Sequence, residues 1–289
     1  MSGKICAVTG ATSGIGKATA LALARQGATL ILICRNRQKG EDAVRELQAA
    51  SPNSAIDLLV ADLSSQQQVR AAATNINHRY DRLHVLVNNA GAMFPKRMES
   101  VDGIEMTLAV NHLAPFLLTN LLLDKMKATS AARIININSD AHEQGKIDFD
   151  DLQMQRHYPR GVGMRAYANA KLANLLTVYE LARRLHGSNV TVNALHPGYV
   201  ATNIITFEGA SGPVRLLKPF WPMAKPFILT PEKGAITPIY LACSPRVASI
   251  SGMYFEKCAP IASSPVSCDK AVQLRMWGAS ERLTGGSAG

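Results

Sequence analysis

Cysteine is scarce. The 289 residues hold five, Cys6, Cys34, Cys243, Cys258 and Cys268, an odd number with no Cys-x-x-Cys pair. That excludes reading the chain as a disulfide framework or a cysteine-based zinc site, and it fits a reduced, intracellular setting. Histidine supplies no metal site either: His112 and His196 have no second ligand at metal spacing, so both read as structural and no metal is expected. Acidic residues are also outnumbered, 21 against 31 Lys and Arg, which leaves a net charge of +10. The excess is spread along the chain without a Lys/Arg-rich block. A nucleic-acid partner is therefore not expected, and the charge is left to solubility and the attraction of an anionic ligand. No signal peptide or long apolar segment precedes the first predicted strand. The expected location is cytoplasmic, with peripheral attachment to an intracellular membrane left open. Repeats and low-complexity blocks are missing too, so one domain over 1–289 is expected, ending in a soft, glycine-rich tail at about 284–289.

What is present is a 47% hydrophobic chain whose apolar runs alternate with helical stretches. Strands are predicted over 4–9, 29–34, 56–60, 83–88, 133–137, 190–195 and, to close the sheet, 253–255. Helices are predicted over 15–26, 39–50, 64–79, 102–128, 166–185 and 231–243. Continuous apolar strands separated by helices predict an α/β protein, a doubly wound Rossmann fold around a central parallel sheet. Right-handed crossovers then place a ligand across the carboxyl ends of the strands.

The informative residues fall at those ends. Gly10, Gly14 and Gly16 follow the first strand in the loop Thr9-Gly10-Ala11-Thr12-Ser13-Gly14-Ile15-Gly16. Glycines there permit a tight turn and close approach of backbone to phosphate, and the helix that follows aims free N–H groups at an anion. The second strand ends at Cys34 and is followed by Arg35-Asn36-Arg37, with no carboxylate to bind a ribose 2′-hydroxyl. Two guanidiniums suit a dianionic 2′-phosphate, so the expected cofactor is NADP(H), with Arg35 the favoured contact and Arg37 the second. The bland alternative is a pair of solvated loop arginines. Asp62-Leu63 follows the third strand, where the adenine edge should lie, and Asn88-Asn89-Ala90-Gly91 follows the fourth. Amides there can pin neighbouring loops as readily as they touch a cofactor.

Tyr167 and Lys171 share a helix face one turn apart. A tyrosine is a poor acid–base group near neutral pH, because its ordinary pKa is about 10. The Lys171 charge, with that of an oxidised nicotinamide, is expected to favour the phenolate. Tyr167 can then give a proton to a carbonyl oxygen or take one from an alcohol. Ser139, just past the fifth strand, can polarise the same oxygen.

Taken in order, Thr9–Gly16, Asp62, Asn88–Gly91, Asn111, Ser139, Tyr167-x-x-x-Lys171 and Pro197-Gly198-Tyr199-Val200-Ala201-Thr202 resemble the short-chain dehydrogenase/reductase family over nearly the whole chain. Cys34-Arg35-Asn36, Asn111–Thr119 and Lys171-Leu172-Ala173-Asn174 resemble its retinol dehydrogenase branch. The resemblance implies a catalytic set of Asn111, Ser139, Tyr167 and Lys171. In it Asn111 holds a water that links the lysine to solvent, and Lys171 also binds the nicotinamide ribose. Cofactor contacts are implied at Gly10, Thr12, Ser13, Gly14, Ile15, Gly16, Asp62, Leu63, Asn89, Ala90, Gly91, Tyr167, Lys171, Pro197, Gly198, Val200 and Thr202, the last to the carboxamide. Asn138 departs from the pattern, standing where related enzymes often have a second serine; the catalytic position maps to Ser139.

The family's substrate lid maps to about 203–233, which here carries Phe220, Trp221 and Phe227 among prolines and basic residues. An aromatic lid implies a small apolar substrate: a retinoid, a steroid or a lipid aldehyde. The basic–aromatic mix leaves peripheral membrane contact open beside plain packing of the lid, and self-association into a homo-oligomer also stays open. Extra chain between Ser139 and Tyr167, including 149–163, is expected to form a wall of the pocket. The expected activity is interconversion of an apolar alcohol with its aldehyde or ketone. Two alternatives stand beside it, reduction of a conjugated C=C bond and a non-catalytic NADP(H)-sensing protein. Tyr-x-x-x-Lys does not exclude the first; retention of Tyr167, Lys171 and Ser139 argues against the second.

Overall fold

The computed structural model describes residues 1–156, 158, 163–200 and 229–285. Its apolar runs form β1 (Ile5–Thr9), β2 (Thr29–Cys34), β3 (Ile56–Val60), β4 (Val85–Asn88), β5 (Ala132–Ile137), β6 (Val190–Leu195) and β7 (Tyr254–Glu256). They pair in the order β3-β2-β1-β4-β5-β6-β7, every pair parallel. The chain begins mid-sheet, winds outward to β3, then crosses to β4 and winds the other way. The reversal between β1 and β4 opens a crevice at their carboxyl ends, where ligands of such sheets bind. The fold is the predicted doubly wound Rossmann fold.

Successive side chains of each strand serve opposite faces, and both faces are covered. On one, Ala7, Ile31, Leu86, Ile134 and Val192 pack against the helices Gln66–Arg79, Met106–Lys127 and Met164–Arg184. On the other, Val8, Leu30, Val87, Ile135 and Phe255 pack against Gly14–Arg25, Arg37–Ala50 and Ile236–Cys243. Caps set where helices begin. The Asn36 side chain accepts the Lys39 N–H at 2.9 Å, so that helix starts at Arg37. The Glu105 carboxylate accepts the Thr107 and Leu108 N–H groups at 2.9 and 2.7 Å, so the long helix starts at Met106, later than the predicted 102. That helix is long and apolar enough to cross a membrane, yet 72% of its most apolar window is buried within the fold. It contains one π-helical turn, Ala109–Leu113.

Two elements escape the sequence reading. A short strand, β8 (Ala259–Ile261), pairs antiparallel with β7 and forms the true edge of the sheet. A final helix, Lys270–Leu283, starts on the Asp269 carboxylate, which accepts the Ala271 and Val272 N–H groups at 2.8 and 3.2 Å. Its Trp277 stacks edge-on against Phe116 at 4.8 Å and lies 4.3 Å beneath the Arg184 guanidinium. Thr284, assigned by sequence to the soft tail, is buried and donates to Ser280 O at 2.8 Å; residues 286–289 lie outside the described residues. The inserted stretch packs on the Met164–Arg184 helix. Phe149 and Leu152 lie against Leu172 and Leu176, and Gln153 is held by Arg97 and by the Glu105 N–H, both at 3.2 Å. Residues 157 and 159–162 of this stretch lie outside the described residues.

Candidate active site

β1 delivers Thr9 to the crevice. Its hydroxyl accepts the N–H groups of Asn89 and Ala90, both at 2.9 Å, and Asn89 Nδ2 donates back to Thr9 O at 2.9 Å and Gly10 O at 3.2 Å. The ends of β1 and β4 are thereby clasped. Asn88 turns inward and donates to Thr119 and Asn136 at 3.0 and 3.2 Å. Both asparagine side chains are thus engaged by the protein itself. The clasp leaves no room over the loop: a Cβ on Gly16 would lie 2.4 Å from Gly10 O, and Gly10 itself has φ +66°. The helix beginning at Gly14 carries no acid in its first turn and no side-chain cap from Ser13, so its first N–H groups face the crevice unspent.

Along the crevice, Arg35 is exposed and has no ion pair among the described residues. Arg37 opens its helix and lies 3.9 Å from Glu41. Asp62 accepts the Ser64 N–H and hydroxyl at 2.9 and 2.8 Å, which fixes the bend after β3, while Leu63 packs partly into the core. Beyond β6, Gly198 turns the chain with φ +81° after Pro197, and Val200 bridges Leu229. A Cβ on Gly234 would strike Val200 Cγ2 at 2.5 Å and Ile15 Cγ1 at 3.1 Å, so Val200 and Ile15 converge there. Thr202 and residues 203–228 of the expected lid lie outside the described residues.

The residues expected to handle protons meet between β4, β5 and the Met164–Arg184 helix. Lys171 is 3% exposed; its Nζ donates to Ile137 O at 2.9 Å and lies 5.4 Å from the centre of the Tyr167 ring. Burial pulls the lysine down to about 8. Tyr167 is buried, and burial pushes its phenol well above the ordinary range; the Asp140 charge adds to this and a hydrogen bond with Ser139 opposes it. The protein by itself therefore favours the phenol. The expected pull toward phenolate is left to the charge of an oxidised nicotinamide. Asn111 sits in the π turn, where its Nδ2 donates to Ala92 O at 2.7 Å and Thr107 O at 2.9 Å, and its carbonyl accepts from Asn174 Nδ2 at 3.3 Å. Gly91 sits against both: a Cβ there would lie 2.8 Å from Asn111 Oδ1 and 3.7 Å from Lys171 Nζ. A flat group can thus approach the lysine only because residue 91 has no side chain.

Three residues outside the predicted site converge on Ser139. Its hydroxyl donates to Asp140 Oδ1 at 2.9 Å, Tyr199 OH donates to Asp140 Oδ2, and His196 Nε2 lies 3.9 Å from the same oxygen. Burial would raise the Asp140 carboxyl, but the hydrogen bonds from Tyr199 and Ser139 outweigh it and hold the group below its ordinary value. The signal in sequence was only adjacency: Asp140 follows Ser139, and Tyr199 lies within the Pro197–Thr202 motif. His112 keeps its structural reading, bonded through Nε2 to Ser280 Oγ at 2.7 Å and held neutral by burial. Among the described residues no cluster of three or more His, Cys, Asp or Glu is placed to hold a metal.

A sequence model of the short chain dehydrogenase family matches residues 4–150. Human retinol dehydrogenase 13 is 43% identical over 284 residues, covering 98% of this chain and 85% of that protein. Bovine retinol dehydrogenase 12 is 41% identical over 283 residues, covering 98% and 87%. Among solved structures, an uncharacterised protein from Mycobacterium paratuberculosis superimposes with a TM-score of 0.79 at 30% identity, covering 99% of this chain and 95% of that one. Pseudomonas aeruginosa RhlG, solved as an NADP active-site complex, superimposes with a TM-score of 0.69 at 28% identity, covering 88% and 94%. The chain belongs to the short-chain dehydrogenase/reductase family of oxidoreductases.

Proposed function

We propose that this protein is an NADP(H)-dependent oxidoreductase that interconverts a small apolar alcohol with its aldehyde or ketone, with Tyr167 as general acid–base. The observation that carries the proposal is the meeting of a buried Tyr167, Ser139 and Lys171 at the end of a crevice whose other end is the glycine loop. The residues fit a nicotinamide dinucleotide. The uncapped helix at Gly14 suits the pyrophosphate, the bare face of Gly91 suits the nicotinamide ribose beside Lys171, and exposed Arg35, without an ion pair among the described residues, suits a 2′-phosphate. RhlG was solved with NADP and another neighbour, a metagenomic fluorescent protein, with NADPH, which supports the same choice.

When bound, the nicotinamide supplies or accepts the hydride. The chain's own work is to bind, orient and move a proton. Tyr167 stands as a neutral phenol, the form that donates to a carbonyl oxygen during reduction. Ser139 orients that oxygen. Lys171, mostly protonated near neutral pH, sits where its charge can steady the phenolate left after proton donation and hold the ribose. Burial of Tyr167 and Lys171, beside a half-buried Ser139, limits the water that would compete for the proton. The retinol dehydrogenase relatives support an apolar substrate class.

The test is consumption of NADPH and NADH by the purified protein with retinal, steroid ketones and medium-to-long aldehydes, with Tyr167→Phe in parallel. NADPH-selective turnover that the variant loses supports the proposal. Tight NADPH binding with no turnover on any carbonyl favours the sensing alternative, and saturation of a conjugated alkene favours the other.

A further inference from the structure

We infer that Asp140 is a positioning residue for the proton transfer: its carboxylate, clamped by Tyr199, claims the Ser139 hydroxyl hydrogen and so holds Tyr167 as the phenol, biasing the site toward carbonyl reduction. The inference rests on the reading of Tyr167 as the acid–base group and goes beyond it, since the resemblance places no role at residue 140.

The geometry turns on one hydrogen. A serine hydroxyl has a single O–H to donate and lone pairs to accept with. Ser139 Oγ already accepts the Ala141 N–H at 3.2 Å and donates to Asp140 Oδ1 at 2.9 Å. An ionised carboxylate is an acceptor only, so the direction of that bond is fixed. A Tyr167 phenolate would demand the same hydrogen. Ser139 cannot satisfy both, so ionised Asp140 opposes the phenolate twice, by its charge and by occupying its donor. The phenol form has no such conflict, because it needs only an acceptor, and Ser139 Oγ, which among the described residues otherwise accepts the Ala141 N–H alone, keeps a lone pair free.

Asp140 is held for this task. Its second oxygen accepts the Tyr199 hydroxyl, and its own N–H donates to His196 Nδ1 at 3.4 Å. That bond fixes the His196 tautomer, leaving the Nε2 hydrogen directed at the Asp140 carboxylate 3.9 Å away. The Tyr199 ring stacks edge-on against His196 at 5.7 Å, and Tyr199 O accepts the Leu229 N–H at 2.7 Å. The clamp is thus built from the end of β6, the turn after it and the chain at Leu229. The charged and titratable groups around the cluster are few. Lys171 faces Tyr167 from their common helix, His196 faces Asp140 from the end of β6, and Glu143, His142 and Glu256 act on His196 or Tyr199 from the turn after β5 and from β7. Burial outweighs the neighbouring charges at His196 and keeps it neutral, so among the described residues Asp140 has no fixed cation beside it to cancel its effect on Tyr167.

The direct test is the titration of Tyr167, followed by NMR of tyrosine labelled at Cζ, with the Tyr167 signal assigned by its loss in Tyr167→Phe. Parent, Asp140→Asn and Tyr199→Phe are titrated from about pH 6 to about 11, free and saturated with NADP+, whose positive charge lowers the phenol into range. Asp140→Asn, which removes the charge and leaves only a neutral amide oxygen to compete for the serine hydrogen, should lower the Tyr167 midpoint by roughly 0.5–1 pH unit. Tyr199→Phe keeps the carboxylate ionised but releases its clamp, and should lower the midpoint by less than Asp140→Asn does. Where a carbonyl substrate is turned over, the alkaline limb of kcat/KM for reduction should move down by the same amount in Asp140→Asn, and by less in Tyr199→Phe. A midpoint unchanged in Asp140→Asn, a phenol that stays protonated throughout in both parent and Asp140→Asn, or an equal fall in both variants would overturn the inference. Because the titration needs no turnover, its outcome separates from that of the functional proposal: a chain that reduces no carbonyl can still show the shift, and one that reduces carbonyls through Tyr167 can still fail to show it.

Discussion

Replacing Lys171 with methionine should make the folded protein more stable and less active, and the gain should vanish at high pH. Lys171 is 3% exposed and burial lowers it from the ordinary 10.5 to about 8. The sign follows from which state holds the proton more tightly. Between these two values the unfolded chain binds the proton and the folded chain does not, so stability rises with pH across the window. Below about pH 8 the full difference is charged against folding, about 2.5 pH units at ~1.36 kcal/mol each, or about 3 kcal/mol. Methionine fills a similar volume without that penalty. It gives up the Nζ bond to Ile137 O at 2.9 Å and strands that buried carbonyl, which costs about 1–3 kcal/mol. The net gain near pH 7 is therefore small, ~1 kcal/mol, but its pH dependence is not. Urea unfolding of parent and Lys171→Met at several pH values should show the variant's advantage falling by about 2–3 kcal/mol between ~pH 7 and ~pH 10. A difference that stays flat with pH would refute the claim that the fold carries this lysine at a depressed pKa.

Arg35→Ala should raise the Kd for NADPH by about 10- to 100-fold, the loss of one charge-assisted contact to phosphate, and change that for NADH less than about 3-fold; titration calorimetry with both cofactors decides it. Gly91→Ala places a methyl 2.8 Å from Asn111 Oδ1, so it should destabilise the protein by about 1–3 kcal/mol and weaken dinucleotide binding, read by thermal melts with and without NADPH. Trp277→Ala removes a 4%-exposed side chain stacked between Phe116 and Arg184. It should cost about 3–5 kcal/mol, seen as a lowered Tm; a shift of a degree or less would mean that the final helix contributes little to the fold.

The strands that sequence reveals are those with an unbroken or nearly unbroken apolar run inside the sheet. β2, β3 and β6 run over the residues predicted from their apolar character, and the order of the sheet follows from alternation and handedness. The missed elements lack those signals. β8 is three exposed residues with a central Pro260, tolerated only because it is an edge, and it turns back from β7 through Lys257 and Cys258, both at positive φ, rather than through the Asn-Gly or Asp-Gly pair that announces a hairpin. The helix Lys270–Leu283 has a thin apolar stripe of Met276, Trp277 and Ala279 flanked by charges, and its burial depends on partners distant in sequence, Phe116 and Arg184. In the site, Tyr167, Lys171 and Ser139 were legible because their spacing is set by a helix and by a strand end. Asp140 was not, because its part comes from Tyr199 and His196, which reach it across the turn after β6. Nor was the state of Tyr167: composition shows a neighbouring lysine, whereas burial, which only the packed structure reveals, outweighs it.

The proposed function requires a hydride to pass from NADPH to a carbonyl carbon while Tyr167 protonates the oxygen. The most direct measurement is transfer of deuterium from NADPH deuterated at C4 of the nicotinamide to retinal or a medium-chain aldehyde, with the label located in the product by mass spectrometry and NMR. The account predicts one deuterium on the carbinol carbon, and none in product from the Tyr167→Phe reaction, which should stall. Deuterium on a former alkene carbon, or full transfer in the phenylalanine variant, would contradict it.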